Sequence, residues 1–140
     1  MGELVRVPLE AAERRVQEVL PHFPEVVGAF LFGSALGLCR PDSDLDLGIV
    51  LLPGVAEPPG WDFAGLASRM EEALGRVEGH PFNVVILRPE EVIFSFRVIR
   101  EGRLVYGRDR EALWDFVERV ARRYPDAAYR HRRALEEVLS

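Results

Sequence analysis

Two short apolar runs frame one polar loop, and that arrangement narrows the fold more than any other feature of the chain. Val26-Val27-Gly28-Ala29-Phe30-Leu31-Phe32 is continuous and short, the pattern of a strand covered on both faces. It stops at Gly33-Ser34. A loop rich in Gly, Pro and Asp follows, and a second strand is expected from near Asp44 through Leu45-Asp46-Leu47-Gly48-Ile49-Val50-Leu51-Leu52. Helical patterns surround the pair. Leu9, Ala12, Val16, Val19 and Leu20 keep helical spacing until Pro21 and Pro24. From Asp62, the residues Phe63, Leu66, Ala67, Met70, Leu74 and Val77 recur every three or four places, with Gly75 and Gly79 marking the end.

The rest of the chain continues the alternation. Phe82–Leu87 reads as a third strand closed by Pro89, and Val92, Ile93, Phe96 and Ile99 as a helix from Pro89 to about Arg100. Leu104-Val105-Tyr106, after Gly102, reads as a short edge strand. Asp109 suits the N-cap of a helix carrying Leu113, Phe116, Val117 and Val120, and Pro125 suits the first position of a separate last helix ending at Leu139. Pro53–Gly60, with three prolines and two glycines, reads as a loop. The expectation is an α/β (α+β) chain: a mixed sheet of three to four strands flanked by helices, with a helical C-terminus. One domain should span 1–140, with a core of about 9–106 and C-terminal helices of about 109–139.

The polar loop carries the chemistry. Glycine lets the backbone turn sharply at Gly33-Ser34 and present N–H groups to an anion. Asp44 and Asp46, two apart at a strand start, point to one face. Neighbouring carboxylates repel each other, and the usual remedy is a hard cation such as Mg²⁺, which takes one or two carboxylates plus phosphate oxygens. A phosphate-holding turn beside a metal-holding pair suits nucleotidyl or phosphoryl transfer.

The cations narrow the chemistry further. All 18 basic residues are arginine, which excludes a P-loop and any Schiff-base mechanism, since both need a lysine. Residues 1–96 hold 7 arginines against 15 acids, and residues 97–140 hold 11 against 8. That C-terminal excess is the signature of a solvated helical surface or of a tail that meets an acidic partner or a phosphate. With an overall charge of -5, non-specific nucleic-acid affinity should be poor. No apolar run approaches the length of a membrane span, and Glu3 and Arg6 stand where a secretory signal would be apolar. The single Cys39 has no internal disulfide partner, so a cytoplasmic location is expected. One asparagine and one glutamine in the whole chain fit a thermophile or a GC-rich genome.

The stretch Gly33-Ser34 … Asp44-Leu45-Asp46 resembles the Gly-Ser … Asp-x-Asp signature of the polymerase-beta-like nucleotidyltransferase superfamily. Within it, the chain is similar to the minimal nucleotidyltransferases (MNT), small partners of HEPN-domain proteins. The third strand at Phe82–Leu87 and the later Ile99-Arg100-Glu101-Gly102-Arg103-Leu104-Val105-Tyr106 extend the likeness over nearly the whole chain. The resemblance implies a nucleotidyltransferase fold. It implies that Gly33 and Ser34 hold the triphosphate, with Arg40 the one cation of their loop, and that Asp44 and Asp46 bind the Mg²⁺ ions of a two-ion site, whose nucleophile-side ion is weakened where the third carboxylate is missing. It implies transfer of a nucleoside monophosphate from an NTP, ATP above all, to a hydroxyl; in the minimal group that can be a tyrosine of a HEPN toxin, which makes the enzyme an antitoxin. At the family's third-carboxylate position this chain has Asn83, an amide that carries no charge and cannot accept a proton. Asp42, Glu78 and His80 are the candidate substitutes, and Leu36 and Leu38 replace the small and basic residues common in the loop.

Two readings follow: an active transferase, or a nucleotidyltransferase-fold module that neutralises a HEPN-type partner by docking alone. Trp61, Trp114, Tyr124 and Tyr129 read as core or interface aromatics, and Tyr129 with Arg130, Arg132 and Arg133 as a nucleotide or partner contact. A homodimer or a heteromeric complex is expected from apolar residues that a small sheet leaves uncovered. His22, His80 and His131 lack ligand spacing and read as structural or surface residues.

Overall fold

The computed structural model describes residues 3–54 and 62–139. Trp61 and most of the expected Pro53–Gly60 loop lie outside the described residues. The elements are β1 (Val5–Arg6), α1 (Leu9–Val19), β2 (Val26–Phe32), β3 (Leu38–Cys39), β4 (Leu45–Leu51), α2 (Phe63–Leu74), β5 (Arg76–Val77), β6 (His80–Ile86), α3 (Val92–Glu101), β7 (Arg103–Gly107) and α4 (Arg110–Leu139). Two 3₁₀ turns, Leu20–His22 and Gly33–Leu36, follow α1 and β2.

Strand order in the main sheet is β5-β6-β4-β2-β7. β2 pairs antiparallel with both β4 and β7, and β4 pairs parallel with β6. The expected three to four strands are therefore β2, β4, β6 and β7. The fifth, β5, is a two-residue hairpin arm whose turn puts Glu78 and Gly79 at positive φ (48° and 88°), as a tight hairpin turn demands. β1 and β3, two residues each, pair antiparallel beside the sheet and are too short to leave any periodicity in the sequence.

Both faces of the sheet are covered, which is why the strands read as continuous apolar runs. On one face Leu31, Leu45, Leu47 and Ile49 pack with Ala12, Val16 and Leu20 of the α1 region and Leu66, Met70 and Leu74 of α2. On the other, Val27, Phe30, Val50 and Leu87 pack with Val98 of α3 and Leu113 of α4. Asp62 caps α2, accepting from the Gly65 N–H at 2.8 Å, and Gly75 ends the helix at φ 66°. On the outer side of β6, Glu71 of α2 accepts from the Val84 N–H at 2.8 Å.

One expectation fails. Pro125 does not begin a separate helix; it lies inside α4, which runs unbroken for 30 residues, about 45 Å at 1.5 Å per residue. The segment before it is already anchored, since Val120 is fully buried and Tyr124 stacks on Phe96 with ring centroids 3.8 Å apart. Packing on α3 thus carries the helix through a residue that supplies no N–H. Among the described residues no helix is long and apolar enough to cross a membrane.

Pro125→Ala tests the unbroken helix. It should restore a backbone hydrogen bond and raise amide-exchange protection beyond residue 125 by one to two powers of ten, since mid-helix proline costs roughly 3 kcal/mol. A fall in protection would return Pro125 to a helix start.

Candidate active site

Strand register builds the site. Phe32 at the end of β2 stands opposite Asp46 on β4, and Asp46 stands opposite Asn83 on β6. Opposed residues share a face, so Phe32, Asp46 and Asn83 form a row across three adjacent strands. The next row, Leu31, Leu47 and Val84, lies on the other face and is buried. Asp44 precedes Asp46 by two, with the fully buried Leu45 between them, so both carboxylates turn away from the α1–α2 core. Asp44 is exposed and Asp46 half-buried. The α3 side closes one flank of the row, where Phe94 meets Phe32 edge-on at 5.7 Å between centroids.

Gly33 is required twice over. Its φ is 74°, in the region that side chains disfavour. A Cβ there would lie 2.5 Å from Oδ2 of Asp46, so only glycine lets the backbone pass this close to the carboxylate. The chain then makes the Gly33–Leu36 turn, closed by the Gly37 N–H donating to the Ser34 carbonyl at 3.1 Å. Ser34 is exposed, and no side chain caps the start of the turn.

Asn83 behaves differently from an acid. Its Nδ2 donates to Oδ1 of Asp46 at 3.1 Å. A carboxylate oxygen only accepts, so the amide must present its NH₂ to Asp46 and turn its carbonyl away. It therefore occupies one lone pair of Asp46 and adds no negative charge.

The candidate substitutes stand elsewhere. Asp42 faces Arg40 at 3.7 Å in an exposed ion pair, which holds neither side chain firmly. Glu78 serves the β5–β6 turn. His80 is buried, and its Nδ1 lies 2.8 Å from the Ser43 carbonyl; since a carbonyl cannot donate, Nδ1 carries the proton. This bond ties the start of β6 to the residue before Asp44, a positioning role. Among the described residues no three His, Cys, Asp or Glu side chains gather as a metal cluster. Two hard carboxylates with an adjacent turn fit one divalent cation that completes its shell from nucleotide and water.

Phe94 was not assigned to the site from sequence, and His80 was named there as a substitute for the missing carboxylate, not as an anchor. Phe94 lies 62 positions from its partner, and nothing in the sequence marks the contact. For His80 the only signal was one histidine at the mouth of an apolar strand.

Gly33→Ala should lower stability by about 1–2 kcal/mol and displace Asp46, read as a drop in melting temperature with weakened Mg²⁺–nucleotide binding. A variant that melts and binds like the parent would remove the contact from the account.

Residues 14–111 match the family model described as polymerase beta, nucleotidyltransferase. No curated protein matches the chain significantly. Among solved structures, a chain of the complex between tri-AMPylated Shewanella oneidensis HEPN toxin and MNT antitoxin aligns with TM-score 0.66 and 17% identity, over 94% of this chain and 98% of that one. A chain of the toxin–antitoxin MntA–HepT structure aligns with TM-score 0.65 and 17% identity, over 94% and 99%. One from a toxin–antitoxin structure with AMP-PNP gives 0.63 and 16%, over 91% and 98%. At these identities the likeness is one of fold, and it bears out the expected mixed sheet with helical C-terminus. The family match runs from α1 to the start of α4 and includes Gly33, Ser34, Asp44, Asp46 and Asn83, so the chain belongs to the polymerase beta nucleotidyltransferase family.

Proposed function

We propose that the protein is a Mg²⁺-dependent, antitoxin-type nucleotidyltransferase that moves AMP from ATP to a hydroxyl of a HEPN-type partner. The observation that carries this reading is the row itself: Asp46, with Asp44 beside it, pressed against the backbone of Gly33 at the mouth of the Gly33–Leu36 turn. Support comes from the solved neighbours, which include an AMPylated HEPN toxin in complex with an MNT antitoxin and a toxin–antitoxin with AMP-PNP.

In this reading the acceptor oxygen bonds to the α-phosphorus, the bond to the bridging oxygen of the β-phosphate breaks, and pyrophosphate leaves. Asp44 and Asp46 hold Mg²⁺, which when bound supplies charge neutralisation at the transferring phosphoryl group. Backbone N–H groups of Gly33 and Ser34 orient the phosphates. The Phe32–Phe94 wall keeps water from one side of the row. The hydroxyl proton leaves to solvent or to the nucleotide, because Asn83 cannot take it.

One observation favours the docking-only reading. Asn83 donates to Asp46 instead of adding a third negative charge, and that leaves a second ion with little to hold it. The amide therefore slows transfer, and Asn83→Asp should speed it.

The test is label transfer from α-³²P-ATP to a purified HEPN-type protein that forms a complex with this chain. The parent should transfer slowly, Asp46→Asn should abolish the signal, and Asn83→Asp should raise it about tenfold or more. Absence of transfer by both parent and Asn83→Asp, with an intact complex on size exclusion, would leave docking as the function. The same substitution has a structural readout. Without divalent cation, Asn83→Asp should cost roughly 1–2 kcal/mol, from a lost hydrogen bond and a like charge beside Asp46. Mg²⁺ should restore the melting temperature.

A further inference from the structure

The last third of α4 leaves the body of the fold. Val120 is its last buried residue, Ala127 and Ala128 are half-buried, and every residue from Tyr129 to Leu139 is exposed. That arm is not polar all round. Leu135, Val138 and Leu139 share one side at helical spacing, and Val138 and Leu139 keep 80% and 83% of their surface in solvent.

A second apolar surface lies near the other end of the same helix. Ile99 of α3, Leu104 of β7, and Leu113, Trp114 and Val117 of α4 line a groove of about 390 Å³. It flanks β7, the outermost strand of the main sheet, and Trp114 beside it is 62% exposed. Single exposed apolar residues are ordinary, but a groove and a projecting apolar end on one rod are complementary surfaces.

One seam joins them. Trp114, Ala121, Ala128 and Leu135 stand seven apart, and Val117, Tyr124, His131 and Val138 follow each by three. This is the spacing by which two helices pack side by side, and the alanines allow close approach. Trp114 and Val138 are 24 residues apart, about 36 Å along the axis. In an antiparallel pair with its two-fold near Asp126, Trp114 of one copy meets Val138 of the other, and Val117 meets Leu135. One symmetry operator then covers both patches twice.

Charge selects the same direction. Arg130, Arg132 and Arg133 crowd the arm, so parallel pairing sets like charges side by side. Antiparallel pairing brings Arg132 beside Glu118 of the other copy. It also lays the C-terminal end of the arm, with Glu136 and the negative pole of the helix, towards Arg110 at the groove. We propose that α4 pairs antiparallel with α4 of a second copy of this chain, each seating its Leu135–Leu139 end in the groove beside β7 of the other.

Sedimentation equilibrium of the full chain reads the pairing. The parent should be dimeric at about 100 µM, as a modest interface allows. Leu135→Glu/Val138→Glu, which alters only exposed side chains, should weaken association at least about tenfold while the chain still melts cooperatively. Direction is read with a short bismaleimide: Glu118→Cys mixed with Arg132→Cys should crosslink, and neither should crosslink alone. The parent, whose one cysteine is buried, is the blank. Unchanged association of the double variant, or crosslinking of Arg132→Cys with itself, would overturn the proposal. A monomeric parent whose double variant releases a HEPN-type protein would assign the arm to that protein, overturning the pairing and leaving the transferase reading intact.

Discussion

The contact on which the rest depends is the approach of the Gly33 backbone to the Asp46 carboxylate. It exists because β2 and β4 pair with Phe32 opposite Asp46, and a one-residue slip would send Asp46 into the α1–α2 core. The buried residues on either side forbid that slip: Leu45 and Leu47 have no exposed surface, nor does Leu31. Site geometry is thus a by-product of core packing. β6 extends the row by parallel pairing, and Glu71 and His80 fix β6 from outside the sheet and from its mouth.

Electrostatics then divides the labour along one short turn. Acidic groups collect at its start and guanidinium groups at its end, with peptide N–H donors between. An all-arginine set suits that layout, because the guanidinium stays charged at any working pH and binds phosphate through two donors. The C-terminal arginine excess has a different place. Arg122 pairs with Glu118 within α4 at 3.8 Å, and residues 129–139 are exposed. Arg6 of β1, Arg14 of α1 and Arg103 of β7 line a groove where that turn ends; only Arg103 belongs to the C-terminal excess, so the charge imbalance between the two ends of the chain did not reveal the other two.

Much of the fold was legible because its strands are covered on both faces and its helices have one apolar stripe. The Val26–Phe32 run coincides with β2, and the periodicity after Asp62 gives α2 up to Gly75, although Val77, counted in that period, lies on β5. What escaped were features that depend on tertiary support. Two-residue strands leave no period, and Pro125 reads as a helix start until Tyr124 is seen stacked on Phe96. At the site, Gly33, Asp44 and Asp46 were legible because spacing within one hairpin determines their geometry. Asn83 was legible as a position but not as a donor, since its orientation follows from the carboxylate it faces. Pairings such as Phe32 with Phe94, or Arg6 with Arg14 and Arg103 around one groove, exist only in the folded chain.

The central claim is that two carboxylates and one neutral amide make a site for a single firmly held metal–nucleotide unit. Titration of Mn²⁺ in the presence of AMP-PNP, followed by electron paramagnetic resonance, counts those ions directly. The account predicts one tight Mn²⁺ per chain for the parent, none when both Asp44 and Asp46 are changed to Asn, and a second when Asn83 is changed to Asp. An unchanged ion count in the Asp44→Asn/Asp46→Asn variant would contradict it.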